Sequence, residues 1–288
     1  MFKHDKRLQY PAKPDRPDPL YAKKLQEVLG GQWSEMSVMM MYLFQGWNCR
    51  GPAKYRDLLL DIGTEEIGHC EMLATMICRL LEDASPEDQE AAAKGNSMVG
   101  AVFGGTSPKE MVEAAAMNPQ HGIVSGLGAT PNDSVGFPWT SRYIISSGNL
   151  LADFRMNVTA ESQGRLQVSR LYEMTDDSGV RDMLSFLIAR DRMHQNIWLA
   201  AIDELAADGL EGTIAPSRVG EDHEVSEVSY QYMNFSPNGH SREGRWASGP
   251  ARDGVGTIEY IDDPQPMGGE PEVHSVDPRI HDTPMAVV

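Results

Sequence analysis

Two short stretches of the 288-residue chain, Glu65-Glu66-Ile67-Gly68-His69 and Asp191-Arg192-Met193-His194, each place an acid three residues before a histidine within a helical pattern. At that spacing both side chains lie on one helix face. A separate glutamate precedes each stretch, at similar intervals: 31 residues from Glu35 to Glu66 and 33 from Glu161 to His194. Taken singly, none of these residues identifies a site. Glu35 sits among Trp33, Met36, Val38, Met39 and Met40, where an ionised carboxylate is costly to bury unless it is paired or binds a cation, yet it reads equally well as a rim residue. The same holds for Glu161, and His69 alone reads as an ordinary core histidine. Together, three glutamates and two histidines on successive helices supply the donors of a dinuclear metal site. Three carboxylates nearly balance two divalent ions, neutral imidazoles complete the shells, and room is left for bridging solvent and a small oxidant. Such a site can change oxidation state without severe charge imbalance.

Two further residues belong to this pattern less directly. Asp191 is one methylene shorter than a glutamate and falls short of a metal held by the others, so it reads either as a hydrogen-bonding or proton-carrying group near His194 or as a solvated or salt-bridged acid beside Arg190 and Arg192. Tyr42, seven residues after Glu35 and on the same face, reads either as a hydrogen-bond partner of the ligands or as core packing. The 17 methionines are core filling.

The elements that must position these residues follow from apolar periodicity. Leu25 to Trp47 recur at helical intervals, predicting one long helix over Tyr21–Asn48 across the Gly30-Gly31 interruption. Gly51-Pro52 breaks it, and a second helix of similar length runs from Lys54 to Glu82. Residues 83–147 are rich in glycine and proline and predict a long crossover with at most short helices. A third helix starts after Gly148-Asn149 and reaches about Thr175, and a fourth follows the cap signal Asp176-Asp177-Ser178 to about Asp208. The fold class is an all-α core: a ferritin-like four-helix bundle with a long middle crossover, the plan that carries di-iron and di-manganese carboxylate sites. The domain reading is an N-terminal arm over 1–20, the bundle over 21–208 and an extended, irregular C-terminal segment over 209–288. That last segment holds 10 glycines, 8 prolines and 14 acids against 5 bases, but its aromatics Tyr230, Tyr232, Phe235, Trp246 and Tyr260 favour wrapping around neighbouring subunits over disorder.

Composition narrows the partners. With 25 basic and 42 acidic residues the formal charge is −17, which argues against nucleic acid and anionic membrane surfaces and leaves a small neutral substrate unaffected. The amino terminus has no apolar stretch resembling a secretory signal, and no run approaches the length of a membrane span. Cys49, Cys70 and Cys78 match no metal or redox spacing, and a reducing, cytoplasmic location is expected.

Longer segments carry a more specific likeness. At Gly30-Gly31-Gln32-Trp33-Ser34-Glu35-Met36-Ser37, Glu65-Glu66-Ile67-Gly68-His69, Ser147-Gly148-Asn149-Leu150, Leu171-Tyr172-Glu173-Met174-Thr175, the His194 segment, Asn234-Phe235-Ser236 and Gly244-Arg245-Trp246-Ala247, the chain resembles the manganese catalases over essentially its whole length. The resemblance implies disproportionation of hydrogen peroxide to water and oxygen by two manganese ions per subunit. Glu35, Glu66, His69, Glu161 and His194 would be the ligands, with Glu66 bridging. Glu66 would also handle protons, assisted by Asp191, with Tyr42 in the outer shell. Some members also bind calcium, and the matching positions are Asp57, Asp61, Asn234, Ser236 and Asn238, whose oxygens suit that ion. A homohexamer is implied as well. Some members carry arginine just before the third glutamate and glutamate three before the second histidine, where this chain has Ala160 and Asp191. Ligand chemistry alone does not select manganese. On the residues alone, a ferritin-like di-iron oxidase or iron-binding protein and a structural shell protein with an idle site stand as alternatives.

Overall fold

All but one of the long helices begin where a side chain takes up an otherwise unpaired first-turn amide. In the computed structural model, which describes residues 3–82, 121, 124–219, 223–274, 276–277 and 279–280, Asp18 accepts from Tyr21 N and opens α1 (Pro19–Gly30). Ser34 accepts from Ser37 N and opens α2 (Glu35–Asn48). The exception, α3 (Ala53–Leu81), follows Pro52 with no side-chain cap. Asn149 caps α4 (Leu150–Glu173) and Asp177 caps α5 (Ser178–Ala207). Short loops make α2 and α3, and likewise α4 and α5, packed neighbours, and the two pairs face one another as the ferritin-like plan requires.

The single helix expected over Tyr21–Asn48 is two helices. Gly31 is extended, with φ −77° and ψ −177°, and Ser37 Oγ donates to its carbonyl at 2.8 Å, fixing the bend between them. The end of the crossover explains why glycine is needed at the neighbouring position. Gln26 Nε2 donates to the carbonyls of Thr130 and Asn132, both at 2.7 Å, and this draws the returning chain so close that a Cβ on Gly30 would lie 2.4 Å from Asn132 O. The break sets Glu35 in the first turn of α2, at the positive end of the helix dipole. Of the expected crossover, residues 83–120 and 122–123, with Gly95, Gly100, Gly104-Gly105, Pro108, Pro119 and Gly122, lie outside the described residues.

Two apolar clusters fill the bundle. One takes Leu25 and Val28 of α1, Met72 to Leu81 of α3, Val168 and Leu171 of α4 and Val180 to Leu187 of α5. The other takes Val38 to Tyr42 of α2, Tyr55 to Ile62 of α3, Leu151 to Ala160 of α4 and Trp198 to Leu205 of α5. On α3, α4 and α5 the positions between the clusters are Glu66 and His69, Glu161, and Asp191 and His194. The polar residues therefore form one layer across the middle of the bundle, with apolar packing on both sides. The N-terminal arm lies on the same unit: Tyr10 stacks on Phe186 with ring centroids 4.7 Å apart, and Arg79 Nη1 donates to Ala12 O at 2.7 Å.

The chain divides into two compact units, residues 1–218 and 219–288. Within the second, the segment read as irregular contains a small sheet of β1 (Gln231–Met233), β2 (Gly249–Pro250) and β3 (Thr257–Ile261) in the order β1-β3-β2. β1 runs parallel to β3 and β2 antiparallel to it, and Tyr232 meets Tyr260 edge-on at 5.3 Å. No described helix is long and apolar enough to cross a membrane.

Because the Cβ at position 30 would meet backbone, the Gly30→Ala variant is expected to lose ~1–3 kcal/mol of stability as overpacking, read as a lower thermal midpoint. An unchanged midpoint would show that the crossover does not need this close approach.

Candidate metal centre

In the polar layer, Glu35, Glu66, His69, Glu161, Asp191 and His194 are all buried, with His69 and His194 at 0% exposure and Glu66 at 1%. The structure brings the five expected ligands together as two groups sharing one residue. Glu35, Glu66 and His69 each offer an atom within 4.8 Å of the others, as do Glu66, Glu161 and His194. Glu66 turns one oxygen to each group: Oε2 lies 2.6 Å from His69 Nδ1 and Oε1 lies 2.9 Å from His194 Nδ1. The outer glutamates complete a near-symmetric arrangement, with Glu35 Oε2 3.4 Å from His69 Nδ1 and Glu161 Oε1 3.5 Å from His194 Nδ1. The rings of the two histidines are nearly parallel, their centroids 5.8 Å apart.

Those short contacts are not hydrogen bonds. Both Glu66 oxygens and both nitrogens of His69 and His194 are buried without a hydrogen-bond partner among the described residues, although buried polar groups are normally paired. The distances suit a hydrogen bond and the directions do not. This is the donor set of two hard-to-borderline cations, three carboxylates and two imidazoles with one carboxylate spanning both halves, and the residues fit a dinuclear metal centre.

Behind the histidines stands a residue whose role the sequence reading missed. Glu65 is next to Glu66 but faces the opposite side of the imidazoles: its Oε1 lies 3.5 Å from His69 Nε2 and its Oε2 lies 3.2 Å from His194 Nε2. Arg190 holds it with two hydrogen bonds, Nε to Oε1 at 2.5 Å and Nη2 to Oε2 at 3.1 Å. The signal available in the sequence was the i, i+4 spacing of Glu65 and His69. The approach of His194 and Arg190 from α5 is tertiary and leaves no local trace.

Asp191 is not the solvated acid that one reading allowed. It is buried, Arg190 pairs with Glu65 in its place, and Asp191 Oδ2 has no partner among the described residues. Tyr42 satisfies both of its readings: its hydroxyl donates to Glu161 Oε1 at 2.6 Å while its ring packs on Trp198. Of the expected calcium positions, Asp57 and Asp61 lie one turn apart on the exposed face of α3 in the first unit. Asn234, Ser236 and Asn238 belong to the second, where Asn234 Oδ1 accepts from Ser236 N at 3.0 Å.

Crowding four acids and two histidines into this layer, with Glu65 behind them, moves their protons. Burial, and then the charge of Glu66, pushes Glu35 up to about 8. Burial also lifts Asp191 well above the carboxylate range, with Glu35, Glu161 and Glu66 adding to it. Burial opposes a charged His194, yet Glu161, Glu65 and Glu66 outweigh it and raise the imidazole to about 12. Glu66 stays well below the carboxylate range despite its burial, because His69 and His194 face it.

With Glu35 raised from 4.5 to about 8 and His194 from 6.5 to about 12, the metal-free folded chain holds protons that the unfolded chain releases across the neutral range. Its stability contribution from these groups is full at low pH and is lost as pH rises through the folded values. Metal ions displace those protons and bind better as pH rises. The thermal midpoint of metal-free protein is therefore expected to fall from about pH 6 to about pH 8 while the gap to the manganese-loaded protein widens; a metal-free midpoint that climbs over this range would contradict the arrangement.

The comparisons agree with this geometry. The profile of the manganese-containing catalase family matches residues 1–288. A manganese catalase of Bacillus subtilis (strain 168) is 56% identical over 283 residues, covering 98% of this chain and 98% of its own. One from Lactiplantibacillus plantarum is 48% identical over 285 residues, with the same 98% coverage of both chains. A crystal structure of a manganese catalase from Anabaena shares the fold, with a TM-score of 0.66 at 24% identity over 92% of this chain and 100% of that one. A chain matched from end to end by this profile, and carrying this paired carboxylate–histidine layer, belongs to the manganese-containing catalases, which disproportionate hydrogen peroxide at a dimanganese centre.

Proposed function

We propose that Glu35, Glu66, His69, Glu161 and His194 hold the two manganese ions at which this chain turns hydrogen peroxide into water and oxygen, with Glu66 spanning the pair. The observation that carries the assignment is the set of buried, unpaired oxygens and nitrogens converging on Glu66. When bound, the two ions supply a two-electron couple, so one peroxide is reduced to water and a second is oxidised to oxygen without release of a radical.

The remaining work falls to side chains. Glu65 places its negative charge at the Nε2 edge of both histidines, which favours the imidazole proton on Nε2 and leaves the Nδ1 lone pair turned inward. Arg190 fixes Glu65 and so sets both rings at once. Tyr42 holds one oxygen of Glu161 and limits rotation of that carboxylate. Glu66 takes and returns the protons of the reacting oxygens, and Asp191, a buried acid three residues before His194, serves as the proton store beside it. A site buried to this degree admits a molecule as small as peroxide and gives the −17 exterior no say in binding a neutral substrate.

Three further assignments belong to this reading. Asp57 and Asp61, exposed oxygen donors one turn apart, are proposed to take calcium. Assembly as a homohexamer is supported by the exposed aromatics Phe235 and Trp246 of the second unit. A reducing, cytoplasmic location is supported by three cysteines that are all unpaired.

Full-length protein expressed with manganese is expected to carry about two manganese ions per chain by elemental analysis and to release oxygen from peroxide. Glu66→Ala should lose both; retention of full metal content in that variant would overturn the assignment. Glu65→Gln keeps the direct ligands and removes the charge behind the histidines, so it should weaken metal affinity or activity by about 10–100-fold, and an unaltered variant would show that Glu65 does not set the rings.

A further inference from the structure

Tyr42 is one end of a line of aromatic rings that leads away from the metal centre. Its hydroxyl donates to the ligand Glu161 at 2.6 Å. Its ring lies 5.0 Å, centroid to centroid, from Trp198. Trp198 lies 5.4 Å from Phe154, and Phe154 lies 5.9 Å from Tyr55. The hydroxyl of Tyr55 donates to Asp208 Oδ2 at 2.7 Å, and Lys54 Nζ reaches the same oxygen at 2.8 Å. The four rings are no more than 2% exposed, whereas the side chains of Lys54 and Asp208 are 47% and 30% exposed. A continuous aromatic column thus joins a metal ligand to the surface.

Two features set this column apart from ordinary packing. A phenol gives up an electron readily only when a base receives its proton, and each tyrosine at the ends of the column has a carboxylate within 2.7 Å. Trp198 Nε1 is buried with no hydrogen-bond partner among the described residues, although a buried indole N–H normally has one. Phenylalanine would pack there without leaving a donor unpaired, so apolar filling does not account for an indole, whereas an easily oxidised ring does. Phe154 is hard to oxidise and serves as a packed bridge between Trp198 and Tyr55.

We propose that Tyr42, Trp198 and Tyr55 form an electron path that gives this catalase a second, peroxidase activity towards small organic one-electron reductants at the surface beside Asp208, with ascorbate as the probe. The proposal rests on the metal-centre assignment above. After one peroxide has taken two electrons and become water, a second peroxide normally returns them; when peroxide is scarce, the two electrons come singly along the path. In each step Tyr42 gives one electron to the centre as its proton shifts to Glu161, Trp198 refills Tyr42 and the proton returns. Tyr55 refills Trp198 and passes its own proton to Asp208. The reductant then gives Tyr55 an electron, and Asp208 returns the proton. Two reductant molecules each pass one electron to the path and release one proton to solvent; with those two electrons and two protons taken up from solvent, one peroxide becomes two waters.

The test uses the full manganese-loaded chain under a slow supply of peroxide. Three quantities are measured: oxygen release, ascorbate consumption, and radical adducts located by nitroso trapping and peptide mass mapping. Wild type is expected to consume ascorbate only with peroxide and, without ascorbate, to carry the adduct on Tyr55. Tyr55→Phe and Trp198→Phe should keep oxygen release while ascorbate consumption drops to that of metal-free protein, and in Trp198→Phe the adduct should stay on Tyr42. Tyr55→Phe alters only the surface end of the column and decides the matter should Trp198→Phe fail to fold. Wild type that releases oxygen but lacks the Tyr55 adduct, or Tyr55→Phe that consumes ascorbate as fast as wild type, overturns the relay alone. Wild type that releases no oxygen overturns the metal assignment and the relay with it.

Discussion

Four carboxylates and two imidazoles occupy one layer in the middle of the bundle, closed above and below by apolar side chains. Left to themselves, ionised acids in such a place carry a desolvation cost that only positive charge can offset. In the metal-free chain that charge is protons, drawn onto His194 and Glu35. Under the proposed assignment two divalent cations would supply it in fixed positions, using atoms that have no hydrogen-bond partner among the described residues. The constraint explains why the layer sits where it does. It interrupts the core at the same level on α3, α4 and α5, so the apolar clusters on either side can keep water out while the helices hold the polar side chains rigidly.

The surroundings of the layer serve the same end. Glu65 faces both histidines from behind and is itself held by Arg190, so one ion pair backs two buried imidazoles from different helices. Gln9 lies against Gly68, where a Cβ would come within 2.3 Å of its amide, and donates to Glu65 O at 3.0 Å. Phe186 packs edge-on against His69 and carries Tyr10 on its other face. The N-terminal arm is thereby part of the wall behind the site. Arg190 is the guanidinium that reaches this wall, through its pair with Glu65.

The parts of this structure that were legible in the sequence are those with a local signature. The i, i+3 pairs Glu66–His69 and Asp191–His194 marked residues that meet in the buried polar layer, and the cap residues Asn149 and Asp177 announced the second helix pair. What depends on a distant segment was not legible. The break between α1 and α2 lies in an apolar pattern that reads straight through, and its cause includes the backbone of Asn132 pressing on Gly30. The burial of Asp191 and the pairing of Arg190 with Glu65 depend on how α5 meets α3. Tyr42 follows Glu35 by two helical turns, yet its partner is Glu161 on another helix. The strands of the second unit are two to five residues long, too short for alternation to stand out among the surrounding glycines and prolines.

Anomalous X-ray scattering at the manganese edge, from crystals of the manganese-loaded protein, would locate the ions against these side chains. Two peaks are expected on either side of the Glu66 carboxylate, one beside His69 Nδ1 with Glu35 and one beside His194 Nδ1 with Glu161, while Glu65 remains on the Nε2 side of both rings. A single peak, or manganese located away from Glu66, would contradict the assignment.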